Sequence, residues 1–461
     1  MLIDTALLSR LQFAFTISFH ILFPAFSIGL AIFLAIMEGL WLKTKNPEYL
    51  NICKFWVQIF ALTFGMGVVS GIVMEFQLGT NWAGFTRLAG GVLGPLFTYE
   101  VLTAFFIEAG FLGVMLFGWN RVGPKLHYLS TLLVTIGTTL SAYWIMSANT
   151  WMQHPVGYEK VGDVFNATSW MQIVFNPATF PRFFHMLLAS YICASFVICS
   201  VSAFYLLKNR HLIFAKKCFS FIWLILLFAV PMQVILGDRT GLEVHENQPI
   251  KTAAIEGLWE TQRGAPLLLF AIPDQEKQSN RFVISIPYLS SLINTHNWNG
   301  ELVGLKSVPP SDQPHVAPVF YSFRLMVGIG FIMLFLSIIS LYLRWKKRLF
   351  ESRWFLKICW FSAPLGFIAL WCGWITAEVG RQPWIVYNLL RTADAVSKVT
   401  LQNIVISFSL IFIVYGIIFG CFYFYFLDKI IRKGPTVTEQ TEITHQPFQY
   451  MPPSAPPEAK P

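Results

Sequence analysis

A small set of side chains able to ionise or to bind a metal lies within stretches otherwise too apolar for water: His20, Glu100, Glu108, His185, Arg324 with Met326 two residues on, and Glu378. An ionisable group at membrane depth costs a few kcal/mol even on lenient insertion scales, so each asks for a reason. His and Met are metal-ligand types, and two carboxylates on one helix suit proton transfer. On a regular helix, Glu100 and Glu108 would be offset by about 80° and separated by about 12 Å along the axis. That places them on one broad face, which fits a proton relay and equally an ion-translocating site without a cofactor. Plainer readings stand beside these. A lone histidine in an apolar span is ordinarily a packing residue, and Met326 alone reads as core. Glu75 reads as an interfacial salt-bridge partner, and His127, at a helix end, either snorkels or receives protons.

The elements that carry these residues follow from composition. The 461 residues are 55% hydrophobic, 16% aromatic and only 12% charged, which excludes a water-soluble enzyme, a coiled coil and a disordered chain. Mean hydropathy is +0.57. A hydrocarbon core of roughly 30 Å takes about 20 helical residues to cross. Nine stretches qualify, near 12–41, 55–75, 93–118, 126–147, 183–207, 218–236, 319–343, 356–378 and 401–427. The expected fold is all-α, a polytopic membrane protein. The first stretch is too long for a cleaved signal and lacks a small-residue cleavage pattern, so Met1 is expected to be retained. The seven cysteines include no CxxC pair and read as small core residues.

Lys and Arg concentrate in alternate short loops, at 43–54, 121–125, 208–217, 344–357 and 429–433. By the positive-inside rule these loops face the cytoplasm, with the N-terminus outside and the C-terminus inside. The net charge of +9 is therefore a topology signal, and no soluble basic domain exists to bind nucleic acid. Four segments are expected: 1–236 with six spans, 237–318 as one long outside connection, 319–430 with three spans, and 431–461 as a disordered Pro-rich tail. Counting about 1.5 Å per residue from each outer helix end places His20, Glu100, His185, Met326 and Glu378 in one layer of the outer half of the membrane. Haem iron takes His and Met as axial ligands, and a His/Met pair holds an electron-transferring haem at raised potential. His185 and Met326, on different helices, suit such a bridge. Arg324 is within reach of a haem propionate, and His20 could serve a second haem.

Several motifs carry a resemblance. SRLQFAFTISFH, MEFQLGTNW, TYEVLTAFFIEAGFLG, SANTWMQHP, FRLMVG and TAEVGRQPW, in this order over residues 1–430, resemble subunit I of the cytochrome bd-type quinol oxidases. The resemblance implies that His185 and Met326 are axial ligands of a low-spin haem b, with Arg324 beside them. It implies that His20 ligates one member of a high-spin pair, that Glu378 is the carboxylate at the high-spin haem b, and that Trp374 lies between haems. Arg381, in GRQPW, joins the cofactor-binding set. Glu100 would be the acid at the oxygen-reducing haem, and Glu108, Ser141 and His127 a proton path from the cytoplasm. Lys251 and Glu256 would bind quinol, with Asp238 nearby, although exposed-loop residues of these types are usually just solvated. The third haem is a haem d or a further haem b. The outside segment lacks a large charged insertion before HVAPVFYSF, which resembles the short-loop branch that includes cyanide-insensitive oxidases.

The implied activity is oxidation of ubiquinol or menaquinol at the outer face and reduction of O2 to water with cytoplasmic protons, generating proton motive force without a pump. The implied setting is the bacterial inner membrane, with a second multi-span subunit and a small single-span one as partners. Two other classes compete. A proton-coupled secondary transporter would show inverted repeats and broken helices near the midplane, and neither is apparent in the sequence. A haem-b electron carrier would keep His185 and Met326 but have no use for His20, Glu100 and Glu108.

Overall fold

The computed structural model describes residues 4–435. Among the described residues eight helical stretches are long and apolar enough to cross a membrane, and a ninth crossing is a pair of helices bent by 41° at Ser362. The chain begins with α1 (Thr5–His20), capped by Asp4, and α2 (Leu22–Thr44), which continue each other through Ile21. Asn46 caps α3 (Pro47–Thr80), with Pro47 in the first turn where no backbone N–H is needed. The third crossing comprises α4 (Ala83–Glu100), a π-helical segment Val101–Phe105 and α5 (Phe106–Phe117). The fourth is α6 (Pro124–Gln153).

A short hairpin, β1 (Tyr158–Val161) with β2 (Val164–Ala167), and α7 (Trp170–Val174) lead to α8 (Thr179–Leu207). The sixth crossing, α9 (Leu212–Asn247), runs eleven residues beyond the expected span end at 236, so the outside connection begins later than the hydropathy implies. That connection is ordered. It holds α10 (Pro249–Glu256), β3 (Gln262–Arg263), the hairpin β4 (Leu267–Asp274) and β5 (Ser279–Ile286), α11 (Leu289–Thr295), and β6 (Glu301–Leu302) paired with β3. Next come α12 (Val316–Trp345), α13 (Arg353–Phe361) and α14 (Ala363–Val379). The hairpin β7 (Trp384–Val386) with β8 (Leu390–Arg391) and α15 (Thr392–Ala395) precede the last crossing, which is α16 (Leu401–Ile411), a π segment Phe412–Phe419 and α17 (Gly420–Lys433). The helix thus covers the first residues of the tail expected from 431; residues 436–461 lie outside the described set.

The basic loops gather at one end. Arg210 Nη2 donates to the Arg432 carbonyl at 2.9 Å, Lys217 lies 4.6 Å over the Tyr49 ring, and Lys216 lies 5.8 Å over Phe350. The main apolar core fills the adjoining half with fully buried Trp56, Phe60, Phe196, Phe219, Trp223 and Phe355. Two glycines set how closely helices approach: a Cβ on Gly29 of α2 would sit 2.4 Å from the Ser190 carbonyl oxygen of α8, and one on Gly366 of α14 would sit 2.7 Å from Cys193 Cα. Small residues permit such contact where lipid supplies no hydrophobic drive between helices.

Candidate cofactor and proton-path site

The expected ligands fall in the half away from the basic loops, and His20, His185 and Met326 each lie beside a glycine of a neighbouring helix. His20 closes α1, and its Nδ1 lies 2.9 Å from the Ser70 hydroxyl on α3. With that hydroxyl turned to the Met66 carbonyl at 2.8 Å, its oxygen can accept from His20 Nδ1–H. That tautomer leaves a lone pair on Nε2, the arrangement a metal ligand needs. A Cβ on Gly71 would come within 3.2 Å of the His20 ring. His185, in the second turn of α8, meets Gln233 of α9, whose amide nitrogen is 3.2 Å from Nδ1 and donates to the His185 carbonyl at 3.0 Å. A Cβ on Gly237 would lie 3.4 Å from the His185 ring, and one on Gly373 would lie 3.0 Å from Met326 Sδ. At each of these donors the neighbouring helix approaches closely, with a glycine set against the ring or the sulfur. Trp374 is half-buried on α14, next to Gly373 and one turn before Glu378.

Glu378 ends α14 within a polar cluster. Its Oε1 accepts from Asn149 at 2.9 Å and from Gln153 at 3.1 Å, both on α6, and its Oε2 pairs with Arg381. Gln153 Oε1 in turn accepts from Lys251 Nζ at 2.5 Å and from Gln248 at 3.0 Å. Two hydrogen bonds therefore join the outside segment to Glu378. Close by, Arg182 pairs with Glu243 at 2.6 Å, both buried. Arg182, Lys251 and Arg381 outnumber Glu243 and Glu378, and Arg182 Nη2, Arg381 Nε and Arg381 Nη1 are buried without a partner. Burial pushes the Lys251 ammonium well below an ordinary lysine, with Arg182 adding to the effect and Glu378 opposing it. Burial lowers the Arg381 guanidinium as well, against Glu378. Buried guanidinium donors without acceptors call for an anion, and the carboxylates of a haem fit both the charge and the donor type.

Lys251 and Glu256 are 2% and 3% exposed, which corrects the expectation of solvated loop residues. The Arg324 guanidinium engages the outside segment: Nε donates to the Leu268 carbonyl at 2.7 Å, Nη1 to the Ile255 carbonyl, and Nη2 lies 3.4 Å from Glu256. Its Cζ is 3.8 Å above the Phe320 ring. Asp238 belongs to α9 rather than to a loop and lies 3.2 Å from His296. The hydrogen bonds around Gln153 do not include it.

The acids form a second line along α6. Ser141 donates to Glu100 at 2.6 Å, and a Cβ on Gly137 would be 2.6 Å from Glu108 Cγ. Both carboxylates thus face one strip of α6. The π segment between them explains this, because its wider turn takes up roughly one extra residue and removes most of the offset a regular helix would impose. His127 is 2% exposed and bonded to Glu38 at 2.7 Å, so it does not snorkel. Glu75 is exposed and has no ion-pair partner among the described residues. The sequence reading missed Gln153, Gln233, Gln248, Asn149 and Glu38. A glutamine within the apolar PMQVILG stretch was the available signal for Gln233.

Together these features define a multi-pass helical membrane protein with haem-type ligands gathered at one end of the bundle. A model of the family described as "Cytochrome bd terminal oxidase subunit I" matches residues 8–435. The chain is 33% identical to cytochrome bd-II ubiquinol oxidase subunit 1 of Escherichia coli, over 96% of this chain and 99% of that protein. It is 36% identical to cytochrome bd ubiquinol oxidase subunit 1 of Bacillus subtilis over 93% of each, and 30% identical to that organism's putative cytochrome bd menaquinol oxidase subunit I. Among solved structures, the bd oxidase from Geobacillus thermodenitrificans aligns with a TM-score of 0.88 at 29% identity, covering 94% of this chain and 99% of that one. The chain belongs to the cytochrome bd terminal oxidase subunit I family, which makes it a haem-dependent membrane oxidoreductase of electron transport.

Proposed function

We propose that this chain is the catalytic subunit of an electrogenic quinol:O2 oxidoreductase of the bacterial inner membrane. The reading takes the basic-loop end as cytoplasmic. The observation that carries it is the hydrogen-bonded route from Lys251 through Gln153 to Glu378, ending among unpartnered buried guanidinium donors beside the candidate ligands. His185 and Met326 would hold a low-spin haem b, His20 one high-spin haem, and Glu378 the high-spin haem b. Arg182, Lys251 and Arg381 would neutralise propionates. Bound there, the haems supply one-electron relay and the site of O2 reduction, the third being haem d or another haem b.

The chain's own residues bind quinol and direct protons. Glu256 is held by Arg324 and by Asn294 at 3.2 Å, so its carboxylate is fixed at the outer edge to accept hydrogen bonds from a hydroquinone. Lys251 completes that wall, and Asp238 with His296 flanks it. Two quinols, ubiquinol or menaquinol, release four electrons and four protons outside; one O2 takes up four electrons and four protons to give two waters. The latter protons rise from the basic-loop side past His127 and Glu108, through Ser141, to Glu100. Taking them from the opposite face stores about 2.3 kcal/mol per charge per 100 mV. A second multi-span subunit, and a small single-span one, would complete the complex.

Replacement of His20 by Ala tests the reading. O2 consumption with quinol is expected to be abolished while the low-spin band of the reduced-minus-oxidised spectrum persists. Retained oxidase activity would remove the site assignment, and membranes lacking any haem band would remove the function.

A further inference from the structure

Where α2, α3 and α6 meet near the basic loops, a carboxylate that the proposed route does not use lies inside the apolar half. Glu38, on α2, is 2% exposed. Its Oε1 is 2.7 Å from His127 Nδ1, and its Oε2 accepts from the Thr131 hydroxyl at 2.6 Å, both on α6. The other His127 nitrogen, Nε2, is buried without a partner, and the ring stacks on Trp119 with centroids 3.9 Å apart. Cys53 of α3 lies alongside Glu38, and the Tyr128 hydroxyl sits by the adjacent Gly39. The polar strip continues along α6: Thr135 donates to the Thr131 carbonyl at 2.8 Å and Thr138 to the Thr135 carbonyl at 2.9 Å. Gly137, against which Glu108 packs, falls about 9 Å beyond Thr131 along the axis.

A carboxylate, a two-nitrogen ring and a row of hydroxyls on one helix face are an unusual content for lipid depth. A purely structural link would need only one polar pair. Here the carboxylate is bonded on both oxygens, toward the basic-loop end by the ring and toward Glu108 by a hydroxyl. We propose that Glu38 is the first internal proton station of the oxidase, receiving protons through His127 and passing them along the threonine face of α6 to Glu108. The inference rests on the uptake route proposed above. The transfer balances: a proton arrives at His127 Nε2 and the one on Nδ1 moves to Glu38 Oε1, changing only the tautomer. The carboxyl group then turns to carry that proton to the Thr131 oxygen, whose hydroxyl has rotated away, and Thr131 releases its own proton to a water beyond, which restores the Glu38 carboxylate. Between Thr131 and Glu108, the hydroxyls of Thr135 and Thr138 offer the partners that an ordered water requires.

The test uses the assembled, haem-loaded complex in liposomes, following proton uptake with a pH-indicating dye during a single turnover, together with steady-state kcat and the quinol KM. Glu38→Gln keeps the shape and cannot carry a proton. Uptake and kcat are expected to fall together by about 10²-fold, with KM and the haem spectrum unchanged. Glu38→Asp should restore much of the rate. Wild-type uptake in Glu38→Gln, while Glu108→Gln is blocked, would overturn the proposal and leave the main reading standing. Wild-type uptake in both would remove the uptake route itself. If Glu38→Gln does not assemble, Thr131→Val decides: slowed uptake supports the proposal and wild-type uptake overturns it.

Discussion

The two halves of the bundle are built from the same kind of helix and do opposite things with their interiors. Next to the basic loops, Trp56, Phe60, Phe219, Trp223 and Phe355 are fully buried in one apolar cluster, and the Glu38–His127 strip is the exception. In the other half, glycines face the histidine rings and the methionine sulfur, and buried charges outnumber their partners. One half carries the aromatic packing, and the other carries the candidate ligands together with buried donors that lack partners.

The sharpest way to break this contrast is to crowd a candidate ligand. Gly373→Val would drive a side chain against Met326 Sδ, and loss of the low-spin haem band with continued membrane insertion is expected. Full haem content in that variant would mean the glycine leaves no functional space. Next in size, Glu378→Ala strands Arg381 in a buried site, costing roughly 3–5 kcal/mol. Thermal unfolding of the solubilised complex should register this, along with a changed high-spin band. In the packed half, Trp56→Ala should cost a similar roughly 3–5 kcal/mol through cavity formation, yet leave the spectra alone. A spectral change there would blur the division between halves.

The smallest effect concerns Lys251. Because burial holds its proton more weakly than the unfolded chain does, unfolding takes up a proton between the two pKa values, and stability rises with pH through that window. Lys251→Met should flatten this rise, measured as the melting temperature from neutral pH upward, while slowing quinol oxidation. An unchanged slope would mean that burial does not weaken the lysine's hold on its proton.

Hydropathy alone marked nine stretches long enough to cross a membrane, and the ionisable types of His20, His185 and Glu378 stood out there because charge in lipid is rare, whereas Met326 drew notice only through its match in depth to His185. What stayed hidden depends on tertiary approach. Gln153 and Gln248 carry no charge and sit in polar surroundings, so nothing in the chain marks them as the link between Lys251 and Glu378. The burial of Lys251 and Glu256 follows from α10 docking between α9 and α12, and local composition does not encode that contact. The partners of Arg324 were likewise hidden, because its donors meet two carbonyls and a carboxylate that only the folded outside segment provides. The π segment at Val101–Phe105 was invisible for a related reason: VLTAF reads as ordinary helix, and only packing against α6 shows why the extra residue is accommodated.

The account turns on His185 and Met326 being bridged by one iron. Near-infrared magnetic circular dichroism of the oxidised complex, comparing the wild type with Met326→His, addresses this directly. A histidine–methionine signature that becomes bis-histidine in the variant, with a lowered midpoint potential for that haem, is the predicted result. An identical signature in both proteins would contradict it.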